Sequence, residues 1–103
     1  PTLEAVRFPT LEIIGGTLSV FENFEVKTLD FPQLATAGGF GVVQQRELAA
    51  LDGFPALTDV AGVFWVHENP LLPSGDGARL AAQLATAPEE VSICGNLDDE
   101  PCP

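Results

Sequence analysis

The sequence predicts a mainly β fold, a parallel β-solenoid of about three 23-residue coils followed by a short C-terminal helix and a final strand. The dipeptide Phe-Pro begins at positions 8, 31 and 54, so the two intervals are identical. Short segments with alternating side-chain character follow at the same spacing, and this alternation is typical of strands. A repeat of this length indicates stacked structural units.

The other positions of the repeat recur in the same order. A leucine follows each Phe-Pro pair, then a small or β-branched residue, then a glycine, and then an alternating segment. In the three units these are Leu11, Leu34 and Leu57; Ile14, Ala37 and Val60; Gly16, Gly39 and Gly62; and TLSVF, FGVVQ and VFWVH. A unit of this size cannot bury its own apolar face, so equivalent strands must stack in parallel. We expect Leu11, Leu34 and Leu57 to be superimposed in one interior column.

The two ends of the chain differ from the repeat. Leu3, Val6 and Phe8 match the end of the following unit, so the chain starts in mid-repeat, and we expect a further coil upstream. The chain opens with proline and lacks methionine, as expected of a fragment. Residues 78–86 predict a helix that Ser74 or Asp76 could cap and Pro88 ends. Val91 to Asn96 then predict a final strand, which divides the chain into repeats (1–73) and a C-terminal cap (74–103).

The combined motif F-P-x-L-x-x-I/V-x-G-x-L-x-I/V-x-x-N-x-x-L runs from Phe8 to Leu72. It resembles the receptor L-domain, the leucine-rich-repeat-like solenoid of growth-factor-receptor ectodomains and of many secreted bacterial and cell-wall proteins. The resemblance implies a right-handed solenoid, a secreted or cell-surface location, and a binding or structural role without catalytic residues. The second unit departs from the motif. Arg46 replaces the asparagine, Gly41 replaces an inward leucine, and the unit is one residue short before Leu51, so we expect a local bulge.

Composition restricts the class of partner. The chain has 15 acidic and 4 basic residues and a net charge of −11. This charge repels phosphate backbones and anionic head groups, so we expect neither nucleic acid nor membrane insertion. No apolar run approaches the roughly 20 residues of a membrane span. Cys94 and Cys102 could form a disulfide in an oxidising compartment, or two free thiols in a reducing one.

Catalytic and metal chemistry find little support. His67 is the single histidine, and its neighbour Glu68 should point to the opposite side of a strand. The segment Gly38-Gly39-Phe40-Gly41 lacks the Lys-Ser/Thr of a phosphate-binding loop. Asp98-Asp99-Glu100 could chelate calcium but lacks the framing loop of a calcium site, so a solvated turn is the default. We expect no enzyme, no cofactor and no metal.

Alternation divides the strands into two faces. The residues predicted to point inward are Leu18, Val20, Val43, Phe64, Val66, Val91 and Ile93. The outward ladders are Thr17/Phe40/Val63, Ser19/Val42/Trp65/Ser92 and Phe21/Gln44/His67/Cys94. Outward side chains on a solvated sheet should be polar, yet several here are apolar or aromatic, which is typical of an interaction surface. The candidate partner-binding residues are Phe21, Phe40, Val42, Val63, Trp65 and His67.

Two further explanations of this apolar face stay open, since another part of a parent protein could cover it and cross-strand neighbours could simply stabilise the sheet. The leading functional hypothesis is an extracellular recognition or adhesion module that binds a protein partner through this face. The alternative is a structural repeat element of an envelope or extracellular assembly. In either case the open N-terminal coil could promote self-association.

Overall fold

The computed structural model describes residues 5–22 and 25–97, and it confirms the mainly β solenoid, with about four turns. Strands and a helix alternate with tight corners along these ranges. In chain order they are β1 (Ala5–Arg7), β2 (Ile13–Phe21), β3 (Thr28–Asp30), β4 (Thr36–Val43), β5 (Asp59–Val60), β6 (Val63–His67), α1 (Ser74–Ala82) and β7 (Glu90–Cys94).

All strand pairings among the described residues are parallel. β1 pairs with β3 in a two-stranded sheet, and the larger sheet has the order β2-β4-β6-β7, with β5 beside the start of β4. Adjacent strands in the larger sheet therefore belong to successive coils, and the chain makes a complete turn before it returns to the sheet. This arrangement explains why one sequence pattern recurs at nearly constant spacing.

The Phe-Pro-x-Leu motif forms a turn at one corner of the coil. The amide of Leu34 donates to the carbonyl of Phe31 and that of Leu57 to Phe54, both at 3.3 Å. Proline suits the second position of such a turn because its φ is already near the required value. Leu34 and Leu57 are fully buried and Leu11 packs against the same core, so the predicted leucine column is confirmed.

Phenylalanine rings from successive coils also stack on one another in the core. Phe8, Phe31 and Phe54 stack with centroid separations of 5.3 and 5.1 Å, and Phe40 stacks on Phe64 at 5.0 Å. The edge of Phe40 also meets Phe54 at 5.1 Å, which joins the two stacks. Each fully buried Phe side chain stabilises the fold by about 1.5–3 kcal/mol relative to an exposed one. The stacks therefore hold successive coils together.

The one-residue shortening of the second coil lies at Gly38 and Gly39, which we call the glycine corner, inside β4 between Ala37 and Phe40. Ile14 pairs with Ala37, but Leu18 pairs with Phe40, because β2 has an irregularity between Ile14 and Thr17. On the other side of β4, Ala37 pairs with Val60 while Phe40 pairs with Phe64. β4 is thus shorter than both neighbours at this corner.

This slip reverses the side-chain orientation predicted for β4, since a one-residue shift exchanges the two faces of a strand. The prediction that Phe40 and Val42 point outward is wrong, because both are fully buried in the core. The prediction that Val43 points inward is also wrong, because Val43 pairs with the outward Phe21 and His67. Gly41 replaces no inward leucine, because Phe40 fills the interior.

A buried ladder of amide side chains follows the strands, formed by Gln45, Asn69 and Asn96. The backbone N–H of Gln45 donates a hydrogen bond to Asn69 Oδ1 at 2.9 Å. The backbone N–H of Asn69 donates in the same way to Asn96 Oδ1 at 3.1 Å. Gln45 therefore takes the asparagine position in the second coil, and the assignment of this position to Arg46 is wrong. Arg46 is exposed and follows Gln45 directly.

The helix begins and ends earlier than predicted. α1 covers Ser74–Ala82 with Pro73 as its N-cap, so the prediction that Ser74 or Asp76 caps the helix is wrong. The carboxylate of Asp76 instead accepts from the Leu51 amide at 3.0 Å and pairs with Arg79 at 3.1 Å. Shortly after the helix the chain again forms backbone hydrogen bonds to the preceding coil, where the backbone N–H of Ala85 donates to the carbonyl of Thr58 at 2.7 Å.

β7 extends the same sheet as the predicted final strand. Its residues pair with β6 from Val63↔Glu90 to His67↔Cys94. Val91 occupies the inward register of Phe64 as predicted but is 50% exposed, because β7 is the end strand of the sheet. The step in the chain from β6 to β7 is longer than the step between the earlier strands, so the fourth coil accommodates the helix within a lengthened repeat.

Gly53 lies where the backbones of two successive coils are in close contact. A Cβ atom on Gly53 would overlap the carbonyl oxygen of Leu29, while the Gly53 carbonyl accepts from the Phe31 amide at 2.8 Å. The atoms nearest to that Cβ position all belong to the backbone, so no side-chain rotation could relieve the overlap. Glycine is required here for space.

We predict that Gly53→Ala destabilises the protein by about 3 kcal/mol or more, the range of the severest backbone and packing changes. Gly75→Ala is the matched control, because Gly75 lies in α1 with open space around it, and alanine there should stabilise by about 0.5–1 kcal/mol. Urea denaturation followed by circular dichroism would measure both. Equal effects of the two substitutions would contradict the close approach of the coils.

Candidate functional site

The candidate site lies on the outward face of the larger sheet. We use the name outward face for the strand residues that alternate with the buried ones, namely Ser19, Phe21, Gly41, Val43, Val63, Trp65, His67, Glu90, Ser92 and Cys94. The core residues Phe40, Val42, Phe64 and Val66 occupy the opposite side of the same strands and are fully buried.

The structure brings four of the six predicted candidates to this face. Phe21, Val63, Trp65 and His67 alternate with buried neighbours and are exposed or half-buried. Phe21 is 50% exposed at the first-coil edge of the face. The other two candidates, Phe40 and Val42, belong to the core because the register of β4 is shifted by one residue. Gly41 and Val43 take their outward positions.

Trp65 is held in a defined orientation by its neighbours. Its ring is stacked nearly parallel to the His67 imidazole, with centroids 5.4 Å apart and planes 14° apart. The indole Nε1 donates a hydrogen bond to Glu90 Oε2 on the adjacent strand. We call Trp65, His67, Glu90 and Ser92 the Trp65 cluster. An ordered aromatic ring with a carboxylate at its polar edge combines apolar contact with a charged group.

Beside Trp65, the outward face lacks a side chain. Gly41 pairs with Ser19 on one side and with Trp65 on the other, and its backbone is buried between these strands. No atom outside its immediate chain neighbours lies within 4 Å of the position that a Gly41 Cβ would occupy. The result is a shallow gap on the sheet surface, flanked by a small polar residue and by the tryptophan.

The hydrogen bond between His67 and Ser92 resembles part of a catalytic arrangement. His67 Nε2 and Ser92 Oγ are 2.8 Å apart, which is within reach for a base and a nucleophile. Hydrolytic chemistry also needs a group that orients the histidine and donors that stabilise the oxyanion. In the part of the chain that the structure describes, no carboxylate is hydrogen-bonded to His67. In this setting the pair fixes the imidazole that stacks on Trp65.

Sequence reasoning misses three members of the outward face, which are Gly41, Val43 and Glu90. Gly41 could be predicted to lie on this face only if the one-residue shortening of the second coil were assigned to the glycine corner. Glu90 pairs with Val63 at a longer separation than the 23-residue pattern, and the change in spacing from the inserted helix hides this pairing. Ser92 is predicted correctly as a ladder neighbour of Trp65, but its contact with His67 leaves no signal in the spacing.

Other features bear on the remaining predictions. Within residues 5–22 and 25–97, no group of three or more His, Cys, Asp or Glu side chains could hold a metal, and no helix is long and apolar enough to cross a bilayer. Cys94 ends β7, while Cys102 lies outside the described residues, so the disulfide stays a prediction. The acidic segment of residues 98–100 also lies outside them.

Comparisons with protein-family models, with curated proteins and with solved structures found no match to this chain.

We predict that Phe40→Ala destabilises the protein by about 3–5 kcal/mol, because it empties a fully buried site. Phe21→Ala is the matched control on the outward face, where the side chain is 50% exposed, and it should cost about 1 kcal/mol. Thermal and urea unfolding of the two variants would measure the difference. A loss for Phe40→Ala no larger than that for Phe21→Ala would contradict the burial of Phe40 and with it the register of β4.

Proposed function

We propose that this chain is a non-catalytic recognition module of a secreted or cell-surface protein and binds a protein partner through the outward face at the Trp65 cluster. One observation carries the proposal. The single tryptophan of the chain lies on the solvent side of the sheet, fixed by a ring stack and a hydrogen bond, while phenylalanines fill the core on the other side.

An ordered tryptophan suits recognition for two physical reasons. Trp is enriched among residues that dominate binding energies, because its large ring buries much apolar area in a single contact. A ring already held by His67 and Glu90 loses less side-chain freedom on binding than a mobile one. Val43 and Val63 extend the apolar area around it. These three side chains are half-buried, and Phe21 on the same face adds a side chain that is 50% exposed. Exposed apolar surface is typical of interaction sites.

The resemblance to receptor L-domains supports an extracellular setting for the proposal. The repeated motif builds a solenoid whose regular sheet displays side chains at fixed intervals, which is how solenoid proteins form extended binding surfaces. A Cys94–Cys102 bridge would fit an oxidising compartment.

A displayed library of random peptides, selected on the immobilised chain, would test the proposal. We predict that sequences enriched on this chain bind Trp65→Ser at least about tenfold more weakly, because loss of a central anchor residue costs about 1.4 kcal/mol or more. Serine is a suitable replacement because Ser19 and Ser92 occupy the same ladder.

Leu71→Ser is the matched control, since Leu71 is 45% exposed but lies outside the strands. It should leave peptide binding unchanged. Thermal unfolding of each variant would show that the immobilised protein is folded. If no sequence were enriched, or if the enriched peptides bound Trp65→Ser as well as the original chain, the outward face would not be a recognition surface.

The exposed apolar side chains beside the edge of β2 favour a second candidate function, a structural element that assembles end to end. Among the described residues no strand pairs with the outer edges of β1 and β2. Apolar side chains are exposed there, with Phe8 at 49% and Ile13 at 67%, whereas Thr36 and Asp59 hold the register of Ile13 in the next coils. An open strand edge with apolar neighbours is a template for pairing.

For this second function we predict a molar mass that rises with protein concentration in light scattering, and a smaller rise for Ile13→Thr. The threonine reproduces the residue of the next coil and removes exposed apolar area from the open end. Leu71→Ser again serves as the control, since it removes exposed apolar area elsewhere. A constant monomer mass over the whole concentration range would contradict the structural function.

A further inference from the structure

We infer that the partner segment bound at the Trp65 cluster is basic, with a Lys or Arg side chain over the indole ring and within reach of Glu90. The inference rests on the proposed recognition function and specifies the chemistry of the partner. It depends on three features of the outward face, which are its charge, the geometry of the Trp65–Glu90 pair, and the gap at Gly41.

The charge of the larger sheet has one sign. The strands β2, β4, β5, β6 and β7 contain no lysine or arginine, whereas Asp59 and Glu90 lie in β5 and β7. The basic residues of the chain all lie elsewhere, as Arg7 in β1, Lys27 and Arg46 outside the strands, and Arg79 in α1. No lysine or arginine within the strands of this sheet therefore competes for Glu90.

The whole molecule strengthens this local preference. The net charge of −11 gives a negative potential around the chain, which attracts basic partners and disfavours acidic ones. Complementary charge of this kind selects partners and speeds their encounter. A neutral apolar partner would gain nothing from the acidic surroundings of the tryptophan.

The Trp65–Glu90 pair offers two attractive groups to one cation. The face of an indole ring attracts ammonium and guanidinium groups, and tryptophan is the strongest of the aromatic residues in this respect. The hydrogen bond from Nε1 holds the Glu90 carboxylate at the edge of the ring. Because Glu90 is exposed, its second oxygen can accept from a bound cation that lies against the ring.

The gap at Gly41 provides space for the aliphatic part of such a side chain. It adjoins Trp65 on the neighbouring strand, and no atom outside its immediate chain neighbours lies within 4 Å of the position that its Cβ would occupy. Lys and Arg have long apolar stems that pack on apolar surface while the charged end stays in contact with polar groups. A stem lying across Gly41 would place its terminal group near the indole.

The peptides selected from the random library test the inference directly. We expect enrichment of Lys and Arg over their frequency in the starting library. The dissociation constant of a resynthesised peptide would then be measured by the fluorescence of Trp65, which reports on this site alone because the chain has one tryptophan. We expect Glu90→Gln to weaken binding by about fivefold, the upper range for an exposed ion pair.

Glu90→Gln removes the charge but keeps an amide oxygen that can accept from Trp65 Nε1. Glu47→Gln is the matched control, with the same change of charge at an exposed position outside the strands, and it should leave the constant unchanged. Raising the salt concentration from about 0.01 M to about 1 M, which shortens the screening length from about 30 Å to about 3 Å, should weaken binding to the original chain.

The outcomes separate the two proposals. Selected peptides that depend on Trp65 but are not enriched in Lys or Arg would overturn the inference and leave the recognition function standing. Basic peptides that bind Glu90→Gln and Glu47→Gln equally well, or whose binding ignores salt, would also overturn it. Absence of any Trp65-dependent peptide would overturn both.

Discussion

The spacing at the glycine corner determines which side chains of each strand reach the interior. Side chains in a strand alternate between two faces, so a single insertion or deletion before the strand exchanges core and surface for its whole length. In β4 the shorter corner brings Phe40 and Val42 into the core, where Phe40 joins the rings of Phe54 and Phe64. The same corner leaves glycine beside Trp65. The aromatic core and the surface gap therefore have a single cause.

The buried ladder of amide side chains follows the strands and accepts a glutamine, Gln45, where the other coils have Asn69 and Asn96. Asn69 Nδ2 donates to the carbonyl of Val42 and to Asn96 Oδ1, at 3.1 and 2.9 Å. Gln45 is longer, and its Nε2 reaches the carbonyls of Val20 and Val43 at 3.0 and 2.9 Å. Among the residues that the structure describes, its Oε1 is buried without a hydrogen-bond partner, and a buried group without a partner costs about 1–3 kcal/mol. Burial of the apolar columns must offset this cost.

The sequence is sufficient to predict the architecture, but it does not determine which side chains of β4 point into the core. Stacking and the leucine column follow from a regular spacing, which reports on equivalent positions without any knowledge of contacts. The final strand follows from its local pattern alone. The orientation of β4 cannot be predicted from the regular spacing, because the segment FGVVQ has apolar residues on both of its faces and so does not alternate clearly. The asparagine position of the second coil is wrongly assigned to Arg46 for a related reason, since an exact 23-residue spacing ignores the shorter corner. Neither error can be detected without the register of the neighbouring strands.

The site depends on the junction between the regular coils and the lengthened fourth coil. Before that junction Trp65 has only Gly41 and Ser19 as ladder neighbours, and neither can orient an indole. The inserted helix lengthens the step in the chain and adds β7 beside β6, which supplies Glu90 to Trp65 and Ser92 to His67.

Close packing of α1 against the sheet fixes the position of β7. A Cβ atom on Gly77 would lie 3.3 Å from the Ile93 side chain and 3.4 Å from that of Val66, so glycine lets the helix approach both strands closely. Because Ile93 belongs to β7 and Val66 to β6, one helix contacts the two strands that carry the Trp65 cluster. The helix therefore packs against both strands, and its insertion is the reason that an ordered aromatic ring and a carboxylate meet on the outward face.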